Sequence, residues 1–140
     1  MTSSTVETAA LPELIEDIDT LEELLSRPSD GLIEDFKRLD GDIMILGVGG
    51  KVGPCLARMA KRAAPDKRVI GVARFSDAAV KAGLEAAGVE TVKCDLLKRE
   101  EVAKLHDIKN IVYMAGKKFG TAGMEPFTWA MNTVVPCNVG

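Results

Sequence analysis

Four large apolar residues in a row, Ile43, Met44, Ile45 and Leu46, run straight into a loop with glycine at positions 47, 49, 50 and 53. An unbroken apolar run of this length suits a strand buried on both faces, and such strands belong to parallel sheets covered by helices. Parallel neighbours need a crossover, so the sequence beyond the loop should alternate helix with strand. Residues 52–64 place Val52, Cys55, Leu56, Met59, Ala60 and Ala63 on one side of a helix, and Pro54 is tolerated in its first turn. Residues 68–73 read as a second strand. Ser76 reads as the cap of a helix that carries Val80 and Leu84 and stops at Gly88. A third strand over 89–93, a short helix over 99–105, a fourth strand over 110–114 and a last helix over 126–139 complete the alternation. The expectation is an α/β fold with a parallel sheet in the order 3-2-1-4 and helices on both faces.

The segment before this alternation has a different character. Residues 1–42 carry 12 acids and 3 bases, whereas residues 43–140 carry 9 acids and 15 bases. We therefore expect an acidic N-terminal extension over 1–41 and a separate α/β domain over 42–140. Residues 1–10 are small and polar and are expected to be disordered. Leu11, Leu14, Ile15 and Ile18 have helical spacing, Thr20 with Glu23 forms a capping-box pattern, and Ser29 caps a helix carrying Leu32, Ile33, Phe36 and Leu39. These amphipathic helices are expected to cover the main domain or a partner chain. A regulatory acidic arm is the second reading.

Composition excludes several classes. The net charge of −3 gives no basic excess to hold a nucleic-acid backbone. The longest apolar stretch falls far short of the ~20 residues a bilayer requires. No apolar signal segment precedes Arg27, the first basic residue, so a cytoplasmic location is expected. Cys55, Cys94 and Cys137 are odd in number and widely spaced, which is neither a disulfide framework nor a metal-binding pattern.

The glycine loop carries the chemistry. It follows a buried strand and opens a helix, the context in which glycines permit a tight turn and close approach of a diphosphate. The helix N-terminus then offers unpaired amides to the anion. Gly47, Gly49, Gly50, Lys51, Val52 and Gly53 are the candidate phosphate-side residues. Lys51 either meets phosphate or stands in solvent. No Gly-Lys-Ser/Thr ends the loop, which excludes the phosphate loop of nucleoside triphosphatases, and the loop also differs from the shorter glycine turn of methyltransferases. Where a nicotinamide dinucleotide site selects NAD with Asp or Glu at the end of the second strand, this chain has Ala73, then Arg74. With no carboxylate there to repel a 2′-phosphate, and Arg74 able to fork onto one, NADP is favoured over NAD. The competing readings are Arg74 in solvent, or Arg74 stacked on the adenine without choosing between cofactors.

The sequence resembles the NAD(P)-dependent epimerase/dehydratase family, within the extended or atypical short-chain dehydrogenases/reductases. Gly47, Gly50 and Gly53 match its Gly-x-x-Gly-x-x-Gly loop. Cys94-Asp95-Leu96 resembles the element whose acid lies near the adenine. The segment Ile111-Val112-Tyr113-Met114-Ala115-Gly116 resembles the fourth strand, which ends in small residues beside the nicotinamide-side ribose, and Asn132 resembles the asparagine of the following helix. The resemblance implies a Rossmann-like fold, here incomplete, with Asp95, Leu96, Ala115, Gly116 and Asn132 at the cofactor. Each also has a plainer reading. Asp95 caps the following helix, Ala115 and Gly116 are small for packing, and Asn132 is a surface helix residue or one that bonds its own backbone.

Members of that family continue further, into a Tyr-x-x-x-Lys pair and a substrate-binding part. Tyr113 and Lys117 spell the motif, but one belongs to a strand and the other follows a glycine, so they do not share a helical face. The chain is therefore expected to be the cofactor-binding portion of an epimerase/dehydratase- or reductase-like oxidoreductase, inactive alone, whose parent acts on a sugar-type or other small substrate. The alternative is a non-catalytic NADP-sensing or interaction module. His106 falls in the turn before the fourth strand, away from the ligand-binding end of such sheets. The fourth strand would also form an uncovered edge, so the chain is expected to be weakly stable or to self-associate through it.

Overall fold

A computed structural model describes residues 11–117 and 120–140 of the 140. Residues 1–10, expected to be disordered, and positions 118–119 lie outside the described residues. In chain order the elements are α1 (Ile18–Leu25), α2 (Asp30–Arg38), β1 (Ile43–Leu46), α3 (Gly53–Ala63), β2 (Val69–Ala73), α4 (Ala78–Ala86), β3 (Glu90–Lys93), α5 (Arg99–Val102) and β4 (Asn110–Tyr113). A closing helix follows as α6 (Glu125–Trp129), a π-helical turn (Ala130–Val134) and α7 (Val135–Val139).

The four strands form one all-parallel sheet in the order β3-β2-β1-β4, as the alternation predicts. β1 lies in the middle, paired through Ile43 with Val69 on one side and Asn110 on the other. Its side chains alternate between the two faces. Ile43 and Ile45 enter a core with Val48, Ala57, Ala60, Val69, Leu84 and Val89, beneath α2, α3 and α4. Met44 and Leu46 enter a second core with Ile70, Val72, Leu96 and Val135, beneath the closing helix and the segment around α5. Ile45, Ile70, Val72 and Leu84 are fully buried, which contributes roughly 1.5–3 kcal/mol for each side chain removed from water. Double coverage explains the unbroken apolar run in β1. The fold is thus α/β and Rossmann-like, with helices on both faces.

Several local expectations shift. Asp17, not the Thr20–Glu23 pair, caps α1, and its Oδ1 accepts from the Thr20 amide at 2.6 Å. Asp77, not Ser76, caps α4, accepting from the Ala79 amide at 2.8 Å. In both cases an ionised carboxylate is the stronger acceptor for the helix-end amides. The helix expected over Leu11–Ile18 begins only at Ile18. Ser29 caps α2 as expected, through its Oγ and the Leu32 amide. The closing helix is continuous but widened at Ala130–Val134, which no residue pattern indicates.

Candidate nucleotide-binding cleft

A cleft of about 310 Å3 opens at the carboxyl ends of the strands, where ligands bind in sheets of this topology. Each strand contributes the residues that follow it. Gly47, Gly49 and Gly50 come after β1, Arg74 and Phe75 after β2, Asp95 and Leu96 after β3, and Ala115 and Gly116 after β4. Lys51, Val52, Gly53 and Asn132 do not line it.

The glycines differ in what they accommodate. Gly47 has φ +87°, and a Cβ there would lie 2.6 Å from the Ala115 amide nitrogen. It lets the turn after β1 pass against the end of β4. A Cβ on Gly53 would lie 2.6 Å from the Val48 carbonyl carbon and closer still to its oxygen, so this glycine sets the approach of α3 to the loop. Gly50 is different. Its nearest neighbour would be the Gly47 oxygen at 3.7 Å, an ordinary contact. No atom of the described residues requires a bare backbone at Gly50, yet it faces the cleft. Beside it, α3 starts without a side-chain cap and without an acid in its first turn. Amides left unpaired at a helix start, with the positive end of the helix dipole, form an anion site.

The wall after β2 is locally strained. Phe75 has φ 49°, the one left-handed non-glycine among the described residues. Such a conformation costs of the order of 1–3 kcal/mol and needs surrounding structure to hold it. Here the ring packs against the core under α3 and α4, while Arg74 on one side and Ser76 on the other stay exposed at the cleft. Arg74 has no ion-pair partner among the described residues. Asp77 also borders the cleft, with one oxygen committed to the α4 cap.

After β3, Asp95 neither caps α5 nor stands free. Its Oδ1 accepts from the Leu97 amide at 3.1 Å, and its own amide donates to Glu101 Oε2 at 2.8 Å. Cys94 is buried beside it, and burial, with the Glu101 and Asp95 charges, pushes the thiol pKa up. A thiol kept protonated is a poor nucleophile. Among the described residues no cluster of His, Cys, Asp and Glu could hold a metal ion.

The closing helix braces the loops after β3 and β4. Asn132, in the π-helical turn, accepts from the Lys117 amide and donates to the Lys117 carbonyl, both at 2.9 Å. Its side chain thus serves the loop as a neighbouring strand would. Two helical turns on, Asn138 donates to the carbonyls of Leu96 and Leu97 at 3.1 and 3.2 Å. Asn132 therefore acts on the cleft through the loop rather than by lining it. Replacing Asn132 with Ala is expected to cost about 1–2 kcal/mol in urea unfolding, with Asn132→Asp intermediate because it keeps an acceptor. Equal stability of all three proteins would show that the brace contributes nothing.

Tyr113 and Lys117 do not form a pair. Lys117 Nζ sits 6.0 Å over the Phe127 ring, and no hydrogen bond among the described residues joins it to Tyr113. Partial burial pushes the Tyr113 pKa up, opposite to what an activated phenol requires. His106 is exposed in the turn before β4, at the other end of the sheet. Residue patterns did not single out Phe75 or Asn138. Nor did they single out Gly71, inside β2, where a Cβ would lie 2.9 Å from Val48 Cγ1. A glycine within a strand often marks such a close approach, the one signal that was available.

No protein-family model and no curated protein matches the chain in sequence. Its fold is similar to that of an L-threonine dehydrogenase from Clostridium difficile, with TM-score 0.58, 19% identity, and coverage of 69% of this chain and 31% of that one. It is also similar to an NADH-dependent reductase, A1-R′, solved with NAD, with TM-score 0.54, 17% identity, and coverage of 74% and 51%. The chain thus spans about a third and a half of the lengths of these two structures, and what it shares with them is the fold.

Proposed function

We propose that the cleft binds a nicotinamide dinucleotide, with its diphosphate over Gly50 and the start of α3. The observation that carries this reading is Gly50: a cleft-facing glycine that no contact among the described residues demands, beside a helix N-terminus left without a side-chain cap. The fold shared with an NADH-dependent reductase solved with NAD supports it. At about 310 Å3 the cleft suits a nucleoside and its first phosphates, since small-molecule sites run from ~300 to 1,000 Å3. Asp95 and Leu96 would border the adenine, and Ala115 and Gly116 would leave room for the second ribose. Lys51 and Val52 would flank the phosphates from outside the cleft. A soluble 140-residue chain that binds neither NADPH nor NADH at about millimolar concentration would overturn the reading.

NADP is the favoured form, because Arg74 is exposed at the cleft without an ion-pair partner among the described residues. Arg74→Ala is expected to weaken NADP(H) by about 1.5–3 kcal/mol, roughly ten- to a hundredfold, and NAD(H) much less. Equal losses for both cofactors would mean that Arg74 does not read the 2′-phosphate.

At the level of reaction, we read the chain as the cofactor-binding portion of an epimerase/dehydratase- or reductase-like oxidoreductase acting on a sugar-type or other small substrate. A bound nicotinamide would supply hydride transfer. The chain's own residues would bind and orient the cofactor, with the catalytic pair elsewhere in a longer protein. The cytoplasm is the proposed location. Among the described residues no helix is long and apolar enough to cross a membrane. The second reading is a non-catalytic NADP-sensing or protein-interaction module. Turnover by a longer natural product of the same reading frame would decide for the enzyme.

A further inference from the structure

Helix α1 is seated on the protein by its polar side. Asp19, Glu22, Glu23 and Ser26, spaced i, i+3, i+4 and i+7, face α3. Glu22 pairs with Arg58 at 2.6 Å, Glu23 takes two bonds from Arg62 at 2.7 and 3.1 Å, and the buried Ser26 hydroxyl accepts a third from Arg62 at 3.0 Å. Arg62, then Arg27, holds the Glu23 carboxyl below its usual pKa. At about 100° per residue, Ile18, Leu21 and Leu25 project roughly 120° away from that seat. They are 72%, 39% and 53% exposed, and Leu11, Leu14 and Ile15 just before them are exposed as well. The neighbouring α2 does the opposite and turns Phe36 and Leu39 into the core. An amphipathic helix normally buries its apolar stripe. Here turning the stripe inward would break the ion pairs to Arg58 and Arg62.

We propose that the outward stripe of α1, with the segment leading into it, is a docking surface for a basic amphipathic helix of another protein. Charge selects this occupant. From Leu11 to Leu25 every charged residue is acidic (Glu13, Glu16, Asp17, Asp19, Glu22 and Glu23), and the first base is Arg27. A second copy docking through the same stripe would bring the same acids against these, and an anionic membrane surface would repel them. A helix with an apolar stripe flanked by Lys or Arg satisfies both the stripe and its border.

The test uses the full 140-residue chain and three synthetic peptides of about fourteen residues. One has Leu at helical spacing with Lys at the other positions, one has Glu in place of Lys, and one is the Lys peptide in scrambled order. Saturable one-to-one binding of the Lys peptide is expected in calorimetry, weakening as salt rises, with the Glu and scrambled peptides much weaker. Leu21→Asp should cost about tenfold or more in affinity, and Glu16→Lys, in the exposed segment leading into α1, should also weaken binding. Circular dichroism would show that these exposed substitutions leave the fold intact, and NADPH binding, whether present or absent in the parent chain, should be unchanged by them. The proposal is overturned if the Lys peptide binds no better than the scrambled one at about millimolar concentration, or if Leu21→Asp leaves its affinity unchanged. Concentration-dependent dimerisation, or binding to vesicles containing anionic lipid, that disappears in Leu21→Asp would equally overturn it in favour of those occupants.

Discussion

Gly53→Val is expected to abolish folding, while Gly50→Val is expected to leave the fold intact and remove dinucleotide affinity. The two glycines sit three residues apart in one loop and match the same motif, yet their surroundings are unlike. At Gly53 the obstacle is the Val48 backbone, with a Cβ placed 2.6 Å from its carbonyl carbon. A backbone cannot swing aside as a side chain can. Val48 itself is fully buried and fits against Gly71 in β2. Relief therefore requires α3 to lift from the loop, which opens the core around Ala57 and Ala60. A loss above ~4 kcal/mol is expected, a large share of the ~5–15 kcal/mol that holds a domain together. At Gly50 a Cβ makes ordinary contact with the Gly47 oxygen, and the backbone is not left-handed, so a side chain is allowed there. It would project where the diphosphate must approach. Thermal melts with NADPH titration separate the two effects. A Gly53→Val protein that melts like the parent would contradict the packing argument. A folded Gly50→Val protein with unchanged affinity would remove the observation on which the proposed function rests.

The sheet was legible because its evidence is local and redundant. Ile43 to Leu46 can hardly be anything but a doubly covered strand, and each later strand is set off by a turn or cap signal. The same holds for the cleft, since a parallel sheet with this alternation gathers the residues after each strand at one end. Arg74, Asp95 and Ala115 come together from topology alone. What escaped depends on partners far along the chain. Glu23 looks like half of a capping box until Arg62 claims it. Ser76 and Asp77 both offer cap oxygens, and the register of α4 selects the second. Asn138 reads as a surface helix residue until the loop at Leu96 and Leu97 is brought against it. The polar seating of α1 is illegible for the same reason. Its apolar periodicity is genuine, but two arginines on α3 decide which side turns inward.

The uncovered edge at β4 leads to the other large effect: the 140-residue chain is expected to self-associate through this strand. β4 pairs with β1 on one side, and among the described residues no strand pairs on the other. The Met114 amide donates to the Leu46 carbonyl at 2.9 Å, so by strand alternation the amides of Ile111 and Tyr113 point away from the sheet. The side chains are poorly covered as well, with Ile111 51% exposed and Val112 and Tyr113 each 38%. An apolar edge with unpaired amides is a template for another strand. Helices cannot complete a strand ladder, so α1 and α2 offer no remedy. Sedimentation velocity should show concentration-dependent association, and Val112→Lys should return the chain to monomer, because a charge at an edge opposes edge-to-edge pairing. Amide exchange supplies the residue-level check: Ile111 and Tyr113 should exchange fast in dilute solution and slow as association proceeds. In a longer protein of the same fold a further strand would protect these amides at every concentration. A monomer in which Ile111 and Tyr113 are already strongly protected would contradict the prediction. It would mean that the chain covers its own edge, and would move the balance from cofactor-binding portion toward self-sufficient module.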